Sequence, residues 1–297
     1  MASRITAIVN QVSGRRPVLS TVREIARLVQ DCGAHFEVVT TQGCGHATDL
    51  AAQLPSDCDA VLVVGGDGTV SEVINGLAGR RTPVVILRTG TANLLARTLA
   101  MPTDASRIAE TLLRGSPYHC DVGIVNGERF IAVVGVGFDA ECVQRLAQTR
   151  RGHVGYADYF WPIWRSFWEH RFPPLQIDVD GEMLFEGRGL AMVSLIKTYG
   201  GRLHLFPEAQ VDDGLLDLLI FSCKSRWELA AHAVWAILRR HIGRPGVIYR
   251  QCRSVHIKST EIVPVQVDGN VGGTLPVECS VLPAATCFLG LPSQGPD

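Results

Sequence analysis

The chain has 297 residues, a formal net charge of −1 and 46% hydrophobic side chains, long enough for a sizeable core in one large domain or two ordinary ones. A charged fraction of 19% and the lack of any long apolar run exclude a disordered chain and a membrane-spanning helix, and the balanced charge excludes a general nucleic-acid binder. Nine scattered cysteines without a C-x-x-C pair predict reduced thiols, no disulfide frame and no zinc site; with an N-terminus unlike a signal peptide, they point to the cytoplasm.

Arg4–Val9 reads as a strand and Val18–Val29 as a helix, with Val18, Val22, Ile25, Ala26 and Val29 on one face. Phe36–Thr40 and the wholly apolar Ala60–Val64 read as strands. Gly65-Gly66-Asp67-Gly68-Thr69 and a helix through Leu77 follow. Pro83–Leu87 is a further apolar strand, followed by Thr89-Gly90-Thr91, a helix through Leu99 and another over Asp104–Leu113. Strands apolar on both faces, joined by helices, predict a parallel sheet covered on both sides.

After residue 120 the pattern becomes strand after strand. Val122–Val125 and Arg129–Val134 flank Asn126-Gly127, and Leu175–Val179 and Met183–Phe185 flank Asp180-Gly181, both strong two-residue hairpin signals. Gly189–Ile196, Leu215–Phe221, Val247–Ile257, Ile262–Val267, Thr274–Val277 and Thr286–Leu289 continue the series, with helical inserts near 154–171 and 225–242. The expected architecture is an α/β nucleotide-binding domain with a parallel sheet over residues 1–118. A mainly antiparallel β-sandwich domain with helical inserts follows over 119–297, its last residues free to return to the first domain.

Charge and aromatic residues are distributed unevenly. Residues 144–172 hold five Arg against Asp158 and Glu169; residues 224–253 hold seven Lys or Arg against Glu228. Eight of the chain's aromatic residues lie between Tyr156 and Phe172. At helical spacing Phe160, Trp164, Phe167, Trp168 and Arg171 share a face. Trp, Tyr and Arg together suit a membrane–water interface, whereas large apolar side chains are ordinarily core; both readings stay open. The second insert, from Trp227 to His241, reads equally as an ordinary packing helix with a basic end.

The chemistry concentrates at strand ends. In Val63–Val70 a buried strand runs into three glycines and a helix; such a turn lets backbone N–H groups converge on phosphate oxygens at a helix N-terminus. Asp67 in that turn would repel phosphate unless it held Mg²⁺ or oriented a hydroxyl. Two further loops occupy the same position: Asn10-Gln11-Val12-Ser13-Gly14-Arg15-Arg16 and Arg88-Thr89-Gly90-Thr91-Ala92-Asn93. Each alone is also an ordinary polar loop or cap, but three at the C-terminal ends of parallel strands point to one nucleotide crevice. His153, His204, His256, Cys44 and Cys58 have no partner pattern and read as structural.

Gly-Gly-Asp-Gly-Thr at 65–69, Gly-Thr-Ala-Asn-Leu-Leu-Ala-Arg at 90–97 and Gly-Val-Gly-Phe-Asp-Ala at 135–140 resemble the catalytic-domain family of diacylglycerol kinases and sphingosine kinases, itself similar in fold to NAD kinase. Pro207-Glu208-Ala209, Asp212–Asp217 and Val267-Asp268-Gly269 continue the resemblance in order along nearly the whole chain. It implies an ATP-dependent lipid kinase acting on diacylglycerol or a related glycerolipid. Asn10, Ser13, Gly14, Gly65, Gly66, Asp67, Gly68, Thr69, Thr91 and Asn93 would hold ATP. Asp212, Asp213 and Asp217 would hold Mg²⁺, and Asp268 would take the lipid hydroxyl proton, with Asp67 as second catalytic carboxylate. Asp-Gly between strands is also plain hairpin chemistry. The resemblance further implies a lipid partner at the membrane surface and peripheral contact with the inner face; the oligomeric state, a homodimer included, stays open. The sequence departs from the family at Asn270, where a Glu is common, at Asn10-Gln11 in place of Asn-Pro, and at Arg88-Thr89 in place of a Pro. A sphingoid or ceramide kinase, an NAD kinase-like enzyme and a non-catalytic binding protein are the alternatives.

Overall fold

The computed structural model describes residues 3–11, 18–149, 156–201 and 203–291, and the chain forms two compact units, Met1–Cys120 with Ala284–Asp297, and Asp121–Pro283. In the first unit strands Arg4–Val9 (β1), His35–Thr40 (β2), Ala60–Gly65 (β3) and Val84–Arg88 (β4) are parallel in the order β2-β1-β3-β4. Every residue of β3 is buried, as its unbroken apolar run requires. Helices Val18–Asp31 (α1), His46–Ala52 (α2), Asp67–Gly76 (α3), Leu94–Thr98 (α4) and Ala105–Arg114 (α5) connect the strands. α1 turns Val22, Ile25 and Val29 inward, and α5 starts at Asp104, whose Oδ1 accepts the Arg107 N–H at 2.9 Å. The chain leaves β1 toward β2 on one side and returns to β3 on the other. The strand order therefore reverses between β1 and β3, the switch point at which open α/β sheets bind ligands.

Ser116–Val125 (β5) carries the chain into the second unit. There follow Glu128–Phe130 (β6), Val133–Val136 (β7), helices Phe138–Thr149 (α6) and Phe160–Glu169 (α7), and then Pro174–Val179 (β8), Glu182–Ser194 (β9), Thr198–Tyr199 (β10) and Leu203–His204 (β11). Leu216–Ser222 (β12), helix Arg226–Ile237 (α8), Val247–Cys252 (β13), Ser254–Lys258 (β14), Pro264–Val267 (β15), Asn270–Thr274 (β16) and Val277–Gly290 (β17) complete it. The second unit's pairings are antiparallel, in the order β16-β15-β7-β9-β8-β14-β17, with β12 and β13 beside β9. The first half of β9 pairs with β8 and its second half with β7 and β12. A core of Phe172, Leu190, Met192, Phe206, Leu219 and Phe221 lies under it. The last residues of β17 lie parallel to β4, Phe288 opposite Val84.

Several boundaries differ from the sequence pattern, for reasons that lie far along the chain. The expected strand Arg129–Val134 is interrupted at Ile131 and Ala132, because the Asp268 carboxylate takes their N–H groups. The expected strand Val247–Ile257 is split at Arg253, where Asp180 Oδ1 accepts the N–H groups of Arg253 and Ser254 at 3.0 and 2.8 Å. The expected strands Met183–Phe185 and Gly189–Ile196 are one strand, β9; a Cβ at Gly189 would clash with the Phe221 carbonyl, so the glycine permits close strand approach. Helix α2 had no signal of its own: its first amides are capped by Glu72 of α3. The aromatic insert divides between the two readings: Phe172 lies in the core and Phe167 packs against it, while Phe160, Trp161, Trp164 and Trp168 are exposed. Among the described residues no helix is long and apolar enough to cross a membrane.

Candidate active site

In the first unit β3 delivers Gly65 and Gly66 to the switch point, and α3 begins at Asp67. A Cβ at Gly65 would stand 2.5 Å from the Thr69 side chain, and one at Gly90 would stand 2.6 Å from the Gly66 Cα. The loops after β3 and β4 therefore touch backbone to backbone, a contact only glycine allows. Asn10, at the end of β1, joins them: its Nδ2 donates to Thr69 Oγ1 at 3.0 Å and its N–H to the Val64 carbonyl at 2.9 Å. Asn93 is buried and left-handed (φ 49°), and its amide grips Gly90 from both ends, accepting the Gly90 N–H at 3.0 Å and donating to the Gly90 carbonyl at 2.6 Å. Asn93 thus holds the loop that carries Thr89 and Thr91. Ser13 and Gly14 lie outside the described residues.

The N-cap of α3 is Gly66, without a side-chain cap, and Gly68 in the first turn is exposed with open space where a Cβ would stand. The orphan N–H groups and positive end of a helix attract anions there. The Asp67 carboxylate accepts the backbone N–H groups of Leu94, Leu95 and Asn93 at the start of α4 and its own at the start of α3; burial raises its pKa above the ordinary value, and these hydrogen bonds oppose the rise. Arg88 ends β4, and burial, then the charge of Arg97, lowers its pKa. Neither arginine has an ion pair among the described residues.

In the second unit Asp268-Gly269 is the β15–β16 turn, with φ 49° and 78°. Asp268 Oδ1 accepts the N–H groups of Ala132 and Val133 at 2.9 and 3.0 Å, and Oδ2 that of Ile131 at 2.9 Å. Gly269 N–H donates to Gln266 Oε1 at 2.7 Å, Gln266 Nε2 donates to Asp139 Oδ2 at 2.9 Å, and Tyr199 donates its hydroxyl to Asp139 Oδ1. Asp139 and Gln266 are buried. Burial raises the Asp139 pKa against those two hydrogen bonds and drives that of Tyr199 well above its usual value. A Cβ at Gly135 would stand 2.0 Å from Asp139 Oδ2, which accounts for the glycine in the 135–140 motif.

The three carboxylates expected to share a Mg²⁺ do not converge. Asp213 Oδ1 turns back on the Leu215 N–H at 3.0 Å. Asp217 is fully buried on β12, where Tyr249 donates to Oδ1 while Oδ2 has no hydrogen-bond partner. Burial lifts its pKa to about 6, helped by the charges of Asp213 and Glu208. Asp121 accepts the Gly214 N–H at 2.7 Å, and its charge, after burial, raises the Asp213 pKa. Among the described residues no group of three His, Cys, Asp or Glu is placed to hold a metal.

The family described as diacylglycerol kinase catalytic domain matches residues 4–125, and the YegS C-terminal NAD kinase beta sandwich-like domain matches residues 132–289. Over 280 residues the chain is 30% identical to the diacylglycerol kinase of Bacillus subtilis (strain 168), covering 93% of this chain and 92% of that protein. The chain belongs to the diacylglycerol kinase family. It is a kinase, and its α/β domain followed by a β-sandwich-like domain is the family's arrangement. The diacylglycerol kinase of Staphylococcus carnosus (strain TM300) is likewise 30% identical, across 93% of this chain and 91% of that one. The crystal structure of a diacylglycerol kinase from Bacillus anthracis str. Sterne superposes with a TM-score of 0.74 at 22% identity, covering 99% of this chain and 98% of that chain, a likeness of fold.

The kinase's sequence did not single out Gln266 or Tyr199. Arg97 and Asp139 stand inside the 90–97 and 135–140 motifs, yet nothing local pairs Asp139 with Gln266, 127 residues on. Asn270, which stands where a Glu is common, is exposed and opposite Val267.

Proposed function

We propose that this kinase transfers the γ-phosphoryl group of ATP to the hydroxyl of a membrane lipid, diacylglycerol first among the acceptors. The observation that carries the nucleotide half is the touching glycine pair Gly66 and Gly90 beneath the uncapped start of α3. Gly68 leaves room for phosphate oxygens at the helix end, and Arg88 at the end of β4 and Arg97 on α4, neither with an ion pair among the described residues, supply cations. The acceptor half follows from relatives named diacylglycerol kinase that match over nearly their full length.

In this reading α3 and the two arginines bind and orient the triphosphate, and Asn10 and Asn93 keep the three loops in register. The lipid hydroxyl oxygen bonds to the γ-phosphorus, the bond from that phosphorus to the β,γ-bridging oxygen breaks, and ADP leaves with the electron pair. The hydroxyl proton passes to Asp268. Its carboxylate is held in place by the backbone N–H groups of Ile131, Ala132 and Val133. A loose phosphoryl-transfer transition state asks little of its base beyond position. The two groups implied by the family fit differently. The glycine loops suit ATP, whereas Asp212, Asp213 and Asp217 do not form a Mg²⁺ site, and no step here runs through one.

The test is purified protein with γ-labelled ATP and a panel of lipids in mixed micelles, with products identified by mass spectrometry. Phosphatidic acid from diacylglycerol is the expected product. Transfer to NAD alone, or ATP binding without transfer to any acceptor, would overturn the reading.

A further inference from the structure

A line of hydrogen bonds runs from the Asp268-Gly269 turn into the interior of the second unit, through side chains that take no part in the transfer itself. Gly269 donates its N–H to Gln266 Oε1 at 2.7 Å, Gln266 Nε2 donates to Asp139 Oδ2 at 2.9 Å, and Tyr199 donates its hydroxyl to Asp139 Oδ1. Gln266 and Asp139 are buried. A side-chain amide has one acceptor oxygen and one donor nitrogen. Because the Gly269 N–H fixes Oε1, the nitrogen faces Asp139, and Asp139 must accept there. Tyr199 donates at the other oxygen, so both oxygens are acceptors, the pattern of an ionised carboxylate. Asp139 has no ion pair among the described residues. Its charge in the interior rests on these two donors.

The far end of the line stands outside the main sheet. Tyr199 lies on β10, which pairs with β11 in a two-stranded sheet of its own, and Gly200 and Gly201 after it are left-handed, with φ 57° and 84°. The Phe206 N–H closes this hairpin on the Lys197 carbonyl at 3.2 Å, and the Tyr199 ring packs against the core under β9. β15, which carries Gln266, pairs instead with β7 and β16. The Tyr199 hydroxyl therefore joins the hairpin to the base turn through Asp139. The titratable and charged groups around Asp139 are Tyr199, Tyr159 and, on its own helix α6, Cys142, Arg145 and Glu141, the last bound to His170. Burial pushes the Cys142 thiol up to about 12 and Tyr199 well above its usual value, so neither exchanges charge with Asp139 near neutral pH.

We propose that Tyr199, acting through Asp139 and Gln266, is a positioning residue that holds the Asp268 turn for proton transfer. The proposal rests on Asp268 as the base, and the two are read by different measurements on the full-length protein. Amide hydrogen exchange at Gly269 and at Ile131–Val133 reads the turn, and kcat reads its chemistry. In Tyr199→Phe those amides should exchange about tenfold faster, and kcat should fall about three- to tenfold, the range for one lost hydrogen bond, with the KM for ATP unchanged. Amides of β14 should exchange as in wild type, which separates a loosened turn from a loosened fold. Without the tyrosine, Asp139 takes up a proton at higher pH, and a neutral carboxyl accepts more weakly. The deficit in kcat relative to wild type should therefore deepen as pH falls from about 8 to about 6. Gln266→Glu should show the opposite slope. Its new carboxyl donates to Asp139 and accepts from Gly269 only while protonated, and once ionised it repels Asp139, so its deficit should deepen as pH rises. A tyrosine needed for folding alone would lower kcat by one factor at every pH. Unchanged exchange at Gly269 in Tyr199→Phe, a deficit that does not move with pH, or parallel slopes in the two variants would each overturn the proposal. Faster exchange at the turn with wild-type kcat would overturn Asp268 as the base.

Discussion

Asp180-Gly181 and Asp268-Gly269 are the same dipeptide in the same kind of turn. Both aspartates have φ 49°, both glycines are left-handed, and both carboxylates reach across to take N–H groups of another strand and interrupt it there. The difference lies in what stands behind each turn. Asp180 is exposed and uses only Oδ1. Asp268 is half-buried, uses both oxygens, and its turn continues through Gln266 to the buried pair Asp139 and Tyr199. A hairpin clamp is thus a structural device that one copy can also use for chemistry, and the second role is set by surroundings rather than by the turn.

The largest effect should break the pair apart. Asp268→Asn is expected to lower kcat by about 10²- to 10⁴-fold, the range for a removed general base, while Asp180→Asn leaves kcat within about twofold. Asp268→Asn should also lose stability of about 1–3 kcal/mol, because an amide Nδ2 cannot accept a backbone N–H, whereas Asp180→Asn keeps the one acceptor oxygen in use and should lose about 1 kcal/mol or less. Steady-state kinetics beside denaturant unfolding reads both. Equal losses of kcat in the two variants would show that Asp268 is a clamp alone.

The glycine loops offer a parallel contrast, between a glycine that packs and one that faces solvent. Gly65→Ala should destabilise by about 3 kcal/mol, since the new methyl would meet the Thr69 side chain at 2.5 Å. Gly68→Ala meets nothing within 4 Å, so stability should stay within about 0.5 kcal/mol while the KM for ATP rises. An unchanged KM in a normally folded Gly68→Ala protein would place the phosphates elsewhere.

Asp217 gives the opposite case to Asp268: a buried carboxylate whose Oδ2 has no hydrogen-bond partner among the described residues. Its pKa is about 6 in the folded protein against 3.8 for the ordinary group. The native state therefore keeps a proton that the unfolded chain releases, and ∂ΔG/∂pH is negative between those values. Stability from this group is present in full below about pH 4 and lost as pH rises through 6, by about 2–3 kcal/mol. Asp217→Asn should flatten the fall in unfolding free energy from pH 4 to pH 7. A wild-type curve that rises monotonically over that span, unchanged in the variant, would contradict the assignment.

Much of this was legible in the chain because the signals were local. The apolar run Ala60–Val64 followed by Gly65-Gly66 announced a buried strand meeting a glycine loop, and the Asn-Gly and Asp-Gly pairs announced the hairpins. What was not legible came from partners distant in sequence. Nothing near Ile131 signals that Asp268, 137 residues on, interrupts its strand. Nothing near His46 shows that Glu72 caps its helix. The acidic run 212–217 looked like a ligand set, but spacing along the chain does not tell where carboxylates point. Asp217, on a buried strand, faces Tyr249. The aromatic insert was ambiguous because a helical stripe shows which residues share a face without showing which face is inward.

The smallest effect sharpens the opening comparison most directly. Asn126-Gly127 is a third left-handed hairpin turn, and its Oδ1 accepts the Glu278 N–H at 2.9 Å while Nδ2 donates to the Pro276 carbonyl. Asn126→Asp keeps the acceptor, keeps a residue that tolerates positive φ, and exchanges the weak donor at 3.4 Å for an oxygen facing the Pro276 carbonyl. The expected loss is about 1 kcal/mol or less, with kcat unchanged, read by unfolding midpoint and turnover on the same sample. If the aspartate instead raised or abolished turnover, the turn residue's charge would matter wherever a clamp occurs. The separation drawn between Asp180 and Asp268, which rests on surroundings, would then fail.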